Sequence, residues 1–136
     1  MKNVVIAQSG GPTSVINNTI KGAIDVLMKS DQVDRILGAK MGILGVLKEE
    51  LLDISAQDKK QIELLYQTPS AGVLGSCRYK IKSDEDLGRI VEVFKKQNIG
   101  YFFYCGHSFI SSQFSFCDFC QRLLISCFIH SNTHEM

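Results

Sequence analysis

Neither sign of charge dominates this sequence: 15 Lys and Arg against 14 Asp and Glu leave a formal net charge of +1. So weak a field excludes nucleic acid and an anionic membrane surface as partners chosen by charge. Also missing is any long apolar stretch behind Met1-Lys2-Asn3-Val4 that ends in a small-residue cleavage site. That excludes a secretory signal and makes the chain cytoplasmic by expectation. Cysteine falls short of a disulfide framework. There are five, an odd number, with four of them beyond residue 104, and in a cytosolic chain they read as free thiols or metal ligands. At 136 residues the chain is too short for two full domains but long enough for one with a real core.

Glycine, proline and charge are also scarce at one end of the chain. All 11 glycines and both prolines fall within residues 1–106. Beyond Tyr104 the only basic side chain among Lys and Arg is Arg122, and the only acids are Asp118 and Glu135. Composition therefore divides the chain into residues 1–104, a partial α/β domain, and residues 105–136, an aberrant Ser/Phe/Cys-rich tail outside it. Three readings of the tail stand side by side. Cys117, Cys120, His130 and His134 have the residue types of a zinc site, but their central spacer is nine residues (121–129), short of the usual dozen or so, and no basic helix follows. Residues 109–129 are rich in apolar side chains, but Asp118, Arg122, two glutamines and several serines interrupt any membrane span. The favoured reading is a tail with no selected role: Ser, Phe, Cys, Leu and Ile share thymine-rich codons, so a shifted frame or a retained intron gives this composition. Neither a bound metal nor a membrane is expected.

What the sequence does contain is organised around Ser9-Gly10-Gly11-Pro12-Thr13. Before it, Val4-Val5-Ile6-Ala7 is a short, β-branched run of the kind that makes a buried strand. After it, Ile16, Ile20, Ala23, Ile24 and Leu27 recur at helical spacing. The glycines thus occupy a strand-to-helix turn. Two glycines let the backbone approach a ligand closely, and the free N–H groups of a helix start favour an anion such as phosphate. An isolated Gly-Gly is more often no more than a tight turn.

Further along, Arg35-Ile36-Leu37-Gly38-Ala39 is a second predicted strand, followed by a loop at Gly42-Ile43-Leu44-Gly45. Ser55 with Asp58 marks a helix start, with Ile62, Leu65 and Tyr66 as its apolar face and Thr68-Pro69 as its stop. Ser83 before Asp84-Glu85-Asp86 is a stronger start, because the acids complement the helix dipole, and Leu87, Ile90, Val91 and Phe94 give that helix a face. Residues 99–104 predict a buried strand. The alternation implies an α/β fold, a Rossmann-like parallel sheet flanked by helices and incomplete at its edge. Ligands of such sheets bind beyond the carboxyl ends of the strands, where Gly10, Gly11 and the residues after Tyr104 fall.

A second glycine-rich stretch, Ala71-Gly72-Val73-Leu74-Gly75-Ser76-Cys77-Arg78, ends in an arginine whose planar fork suits phosphate oxygens. Alone, such an arginine is more often a solvated charge. Taken with Ser9-Gly10-Gly11, Asn17, Gly22 and the strand at 99–104, it gives residues 1–104 a pattern that resembles the N-terminal part of a phosphofructokinase. The run from Gly10 to Asn17 is more similar to the pyrophosphate-using branch than to the ATP-using one.

The resemblance implies transfer of a phosphoryl group from pyrophosphate or ATP to the 1-hydroxyl of fructose 6-phosphate, with Mg²⁺ bridging the phosphates. It assigns donor-phosphate binding to Gly10, Gly11 and Arg78, with Tyr79 beside them, and it leaves open a homo-oligomer. Equally informative are the departures. Where the family carries Gly-Gly-Asp, this chain reads Gly106-His107-Ser108, so Ser108 replaces the metal-binding aspartate and Phe109 follows it. The later Thr-Ile-Asp-Asn-Asp motif, which holds the catalytic base, is absent, as are the arginines that grip the sugar phosphate. No catalytic residue is therefore assigned, and the chain is expected to be inactive alone. The alternative is a non-catalytic protein that binds phosphate or a nucleotide, or docks on a phosphofructokinase subunit.

Overall fold

A computed structural model describes residues 1–9, 14–67, 73–105 and 126–130, with residues 14–17, 66 and 126–130 described by their backbone alone. The first strand, β1 (Lys2–Gln8), leads to helix α1 (Ser14–Leu27) and returns as β2 (Val33–Ala39), parallel to β1. A short helix α2 (Ile43–Leu47) follows, then β3 (Leu51–Asp53), α3 (Lys59–Glu63) with a 3-10 turn at Leu64–Tyr66, helix α4 (Asp84–Lys96), and strand β4 (Ile99–Cys105). A last strand, β5 (Ser126–His130), completes a five-stranded sheet of order β3-β2-β1-β4-β5.

The apolar run of β1 is buried on both faces, as a central parallel strand requires. Val5 and Ala7 face one core, shared with α2, α4 and β4 through Ile43, Ile90, Phe94 and Phe102. Val4 and Ile6 face the other, packed with Ile20 and Ile24 of α1 and Ile62 of α3. Lys21 is buried in α1 at 1% exposure, and its ammonium is held by Asp25 and by Glu63 of α3, which fastens the two helices together. The hydrogen bond that Lys21 donates to Asp25, the larger influence, raises the Lys21 pKa above its ordinary value.

Helix α4 starts where the sequence predicts: the Ser83 hydroxyl accepts from the Asp86 N–H at 3.3 Å, three acids sit in its first turn, and Lys95 and Lys96 sit in its last. Other expectations need correction. Asp58, not Ser55, caps α3, accepting from the Lys60 N–H at 3.0 Å, while Ser55 donates to Asp53 instead. The loop expected at residues 42–45 runs into helix α2. Nor is the sheet wholly parallel, since β3 pairs antiparallel with β2. Finally, residue 104 is not the limit of the sheet. β4 runs to Cys105, and β5, from the region that composition sets outside the domain, pairs parallel with it from Tyr101↔Ser126 to Cys105↔His130. Among the described residues the backbone of β4 has no other neighbour on that side, and the β5 backbone pairs with it.

Topology fixes where a ligand can sit. The chain leaves β1 for β2 on one side and later places β4 on the other, so the strand order reverses between β1 and β4. Open α/β sheets bind their ligands at this switch point, outside the carboxyl ends of the two strands.

Candidate functional site

At the switch point β1 ends in Gln8 and β4 in Cys105, paired in register, and the Ser9 N–H donates to the Cys105 carbonyl at 2.9 Å. Gly10 and Gly11, assigned to donor phosphate, follow directly and lie outside the described residues, as does Ser108. Two further segments converge on Gln8. From the end of β2 comes Gly42, whose φ of +64° is left-handed, and a Cβ there would stand 2.6 Å from the Gln8 carbonyl oxygen and 2.9 Å from Cys77 Sγ. Only glycine permits this approach. From the stretch before α4 comes Gly75, also left-handed at φ +72°. Its carbonyl accepts from Gln8 Nε2 at 2.9 Å, a contact across 67 positions of sequence.

The segment that bears Arg78 is held on both sides of this contact. The Leu74 carbonyl accepts from the Met41 N–H at 2.7 Å. Beyond Arg78, the Tyr79 hydroxyl donates to Asp86 in the first turn of α4 at 2.6 Å, and that bond, more than burial, raises the Tyr79 pKa. Arg78 itself is exposed, and no described residue engages its guanidinium in an ion pair or hydrogen bond. An arginine fork presented on an anchored segment suits a phosphate ligand from solution. The geometry thus gives Tyr79 a structural hydroxyl and leaves Arg78 with its donors available.

The floor of the site is neutral. Burial pushes the Cys105 thiol up to about 11 from its ordinary 9.0. Burial also raises the Tyr104 hydroxyl, opposed by its hydrogen bond with Ser9 and reinforced by the neighbouring Cys77 and Cys105 thiols. Both groups are protonated in the folded state at a pH where the unfolded chain has ionised them. The thiol's contribution to stability is intact below about pH 9 and is lost as pH climbs toward 11, whereas the Tyr104 hydroxyl weakens the fold only as pH rises past its ordinary 10.0. The urea midpoint is therefore expected to hold level to about pH 9 and then fall. A Cys105→Ala variant should fall less steeply, by an amount on the order of 2 kcal/mol at the alkaline end. Parallel curves for the two proteins would disprove a buried, protonated thiol.

No group of three or more His, Cys, Asp or Glu side chains suited to a metal occurs among the described residues. Among them, too, no helix is long and apolar enough to cross a membrane. The zinc candidates Cys117, Cys120 and His134 lie outside the described residues, and of His130 only the backbone is described.

Comparison with known proteins adds four findings. The family model for phosphofructokinase matches residues 3–109. The pyrophosphate–fructose 6-phosphate 1-phosphotransferase of Halomonas elongata is 41% identical over 109 residues, which are 76% of this chain and 26% of that protein. Among solved structures, the pyrophosphate-dependent phosphofructokinase of Nitrosospira multiformis is 45% identical with a TM-score of 0.72, covering 77% of this chain and 26% of that one. The Marinobacter aquaeolei enzyme of the same description is 38% identical with a TM-score of 0.79, covering 96% of this chain and 33% of that one. This chain thus spans about a quarter of the length of the curated relatives it matches.

Proposed function

The chain belongs to the phosphofructokinase family, and from that membership we propose that it is the phosphoryl-donor-binding part of a pyrophosphate-dependent 6-phosphofructokinase, unable to complete the transfer alone. The observation that carries the proposal is the Gln8–Gly75 hydrogen bond. It brings Gly75, far away in sequence, to the end of β1 at the switch point of the sheet.

In this reading the backbone N–H groups of Gly10 and Gly11, at the approach to α1, receive oxygens of the terminal phosphate. Arg78 takes a second pair of oxygens through its fork. Their joint effect is to hold a highly charged donor in one orientation and to offset its charge, the main task of the protein in phosphoryl transfer. The acceptor is fructose 6-phosphate and the setting cytosolic glycolysis. Phosphofructokinases generally use Mg²⁺, which wants carboxylate oxygens. The position assigned to its aspartate by resemblance carries Ser108, a neutral hydroxyl, so no step runs through a metal here.

The purified chain is accordingly expected to show no phosphorylation of fructose 6-phosphate with either pyrophosphate or ATP in a coupled assay with Mg²⁺ present. Mg²⁺-dependent turnover that disappears in Arg78→Ala would show that the chain assembles a full active site and would end the proposal.

A further inference from the structure

Gln8 closes β1 and is 1% exposed, placing it among the largest fully buried side chains of the protein. The four residues before Ala7–Gln8 and Ala7 itself read Asn3, Val4, Val5, Ile6 and Ala7, and the last four of these are aliphatic and fully buried. A leucine or methionine would fill the space of Gln8 with no polar atoms to satisfy. Instead the amide points its Nε2 at the Gly75 carbonyl, 2.9 Å away. A carbonyl oxygen can only accept, so the nitrogen must face Gly75 and Oε1 must face away. There Oε1 is buried with no hydrogen-bond partner among the described residues. An unpaired buried acceptor disfavours the folded state relative to an apolar side chain of similar volume. Stability therefore does not account for an amide at this position, whereas geometry does.

What the amide fixes is the segment 74–79. Its flanks are held by Met41 N–H on Leu74 and by Tyr79 on Asp86, and neither contact touches β1. The Gln8 side chain hydrogen-bonds this segment to the strand that leads into Ser9, and Leu74 packs in the cluster that holds Val4 and Ile6 of the same strand. Gly75, left-handed and three positions before Arg78, is the place where that join is made. We propose that Gln8 is a positioning residue whose Nε2–Gly75 hydrogen bond sets the distance between the Arg78 segment and the end of β1, so that Arg78 and the glycine pair act on the same phosphate-bearing ligand. The proposal rests on the donor-binding reading above. Gln8 itself touches no ligand.

Two variants of the full chain test it, with inorganic pyrophosphate as the probe and exchange of the Met41 amide as a report on the Leu74–Gly75 segment. Gln8→Leu keeps the volume and removes the donor. It should weaken pyrophosphate binding roughly tenfold, the loss of about one positioned hydrogen bond, and speed Met41 exchange while the Met28 amide at the end of α1 is unchanged. Gln8→Glu keeps the length of the side chain. Protonated, its carboxyl donates an O–H to the Gly75 carbonyl; ionised, it offers only acceptors. As pH is lowered from about 8 to about 5, through the range of a buried carboxyl, both its affinity relative to the unaltered protein and its Met41 protection should recover. Tyr104 and Cys105, raised by burial, stay neutral over that range.

A side chain that only fills space would give no such recovery. Unchanged Met41 exchange in Gln8→Leu, or a pH-independent ratio in Gln8→Glu, overturns the proposal. Should Gln8→Leu fail to fold, the Gln8→Glu series decides alone. Should the unaltered chain bind no pyrophosphate, the donor-binding reading falls, and the Met41 exchange of Gln8→Glu across pH still decides whether Gln8 holds the segment.

Discussion

Phe102→Ala is expected to lower the stability of the chain by roughly 3–5 kcal/mol, a large part of what a domain of this size possesses. Phe102 lies in the middle of β4 at 1% exposure and meets Val5 of β1 in register. Its ring stands edge-on to Phe94 of α4, with centroids 5.5 Å apart, and to Tyr104, 5.7 Å apart. One side chain therefore joins the central strands, the helix that follows the Arg78 segment and the floor of the site. Truncation removes its buried area and leaves a cavity that two aromatic neighbours and a strand backbone cannot close. Phe102→Leu, which keeps most of the volume, should lose only about 1–2 kcal/mol. Urea unfolding of the three proteins measures both differences. A loss under about 1 kcal/mol for Phe102→Ala would mean that β4 is not packed in the core as described.

Much of this architecture is legible in the residues because local signals and burial agree. Val4-Val5-Ile6-Ala7 has one stable use, as a strand buried on both faces, and Ser83 before three acids has one, as a helix cap. The elements that escape such reading are those made by their surroundings. β3 is three residues long, too short for any period, and exists because β2 offers it an edge. Helix α2 follows Gly42, where glycine reads as loop, although the left-handed turn at Gly42 is what launches the helix beside Gln8. Composition likewise hides β5, since a Ser/Phe/Cys-rich stretch shows no turn or cap to frame a strand.

For the proposed site, residue types suited to phosphate are visible in Gly10, Gly11 and Arg78, because close approach and a fork of donors need such residues. Gln8 and Gly42 are not visible. A single glutamine at a strand end carries no pattern, and its meaning appears only when Gly75 stands 2.9 Å from its amide. Tyr79 shows the converse: adjacency in sequence groups it with Arg78, while the fold turns its hydroxyl to Asp86.

Arg78→Ala is expected to weaken pyrophosphate binding by roughly tenfold to a hundredfold, the range for losing charge-assisted hydrogen bonds at a partly solvated site. Stability should be unchanged, because the guanidinium is exposed and no described residue engages it. Arg78→Lys should recover only part of the affinity, since an ammonium keeps the charge but loses the planar pair of donors. Added salt should narrow all of these differences by screening. Titration calorimetry of pyrophosphate into the unaltered chain and into Arg78→Ala is the direct test of a donor-phosphate site built at the end of β1 and β4. Saturable binding that drops at least tenfold in Arg78→Ala is the predicted result; no binding to the unaltered chain, or equal binding to both, would contradict it.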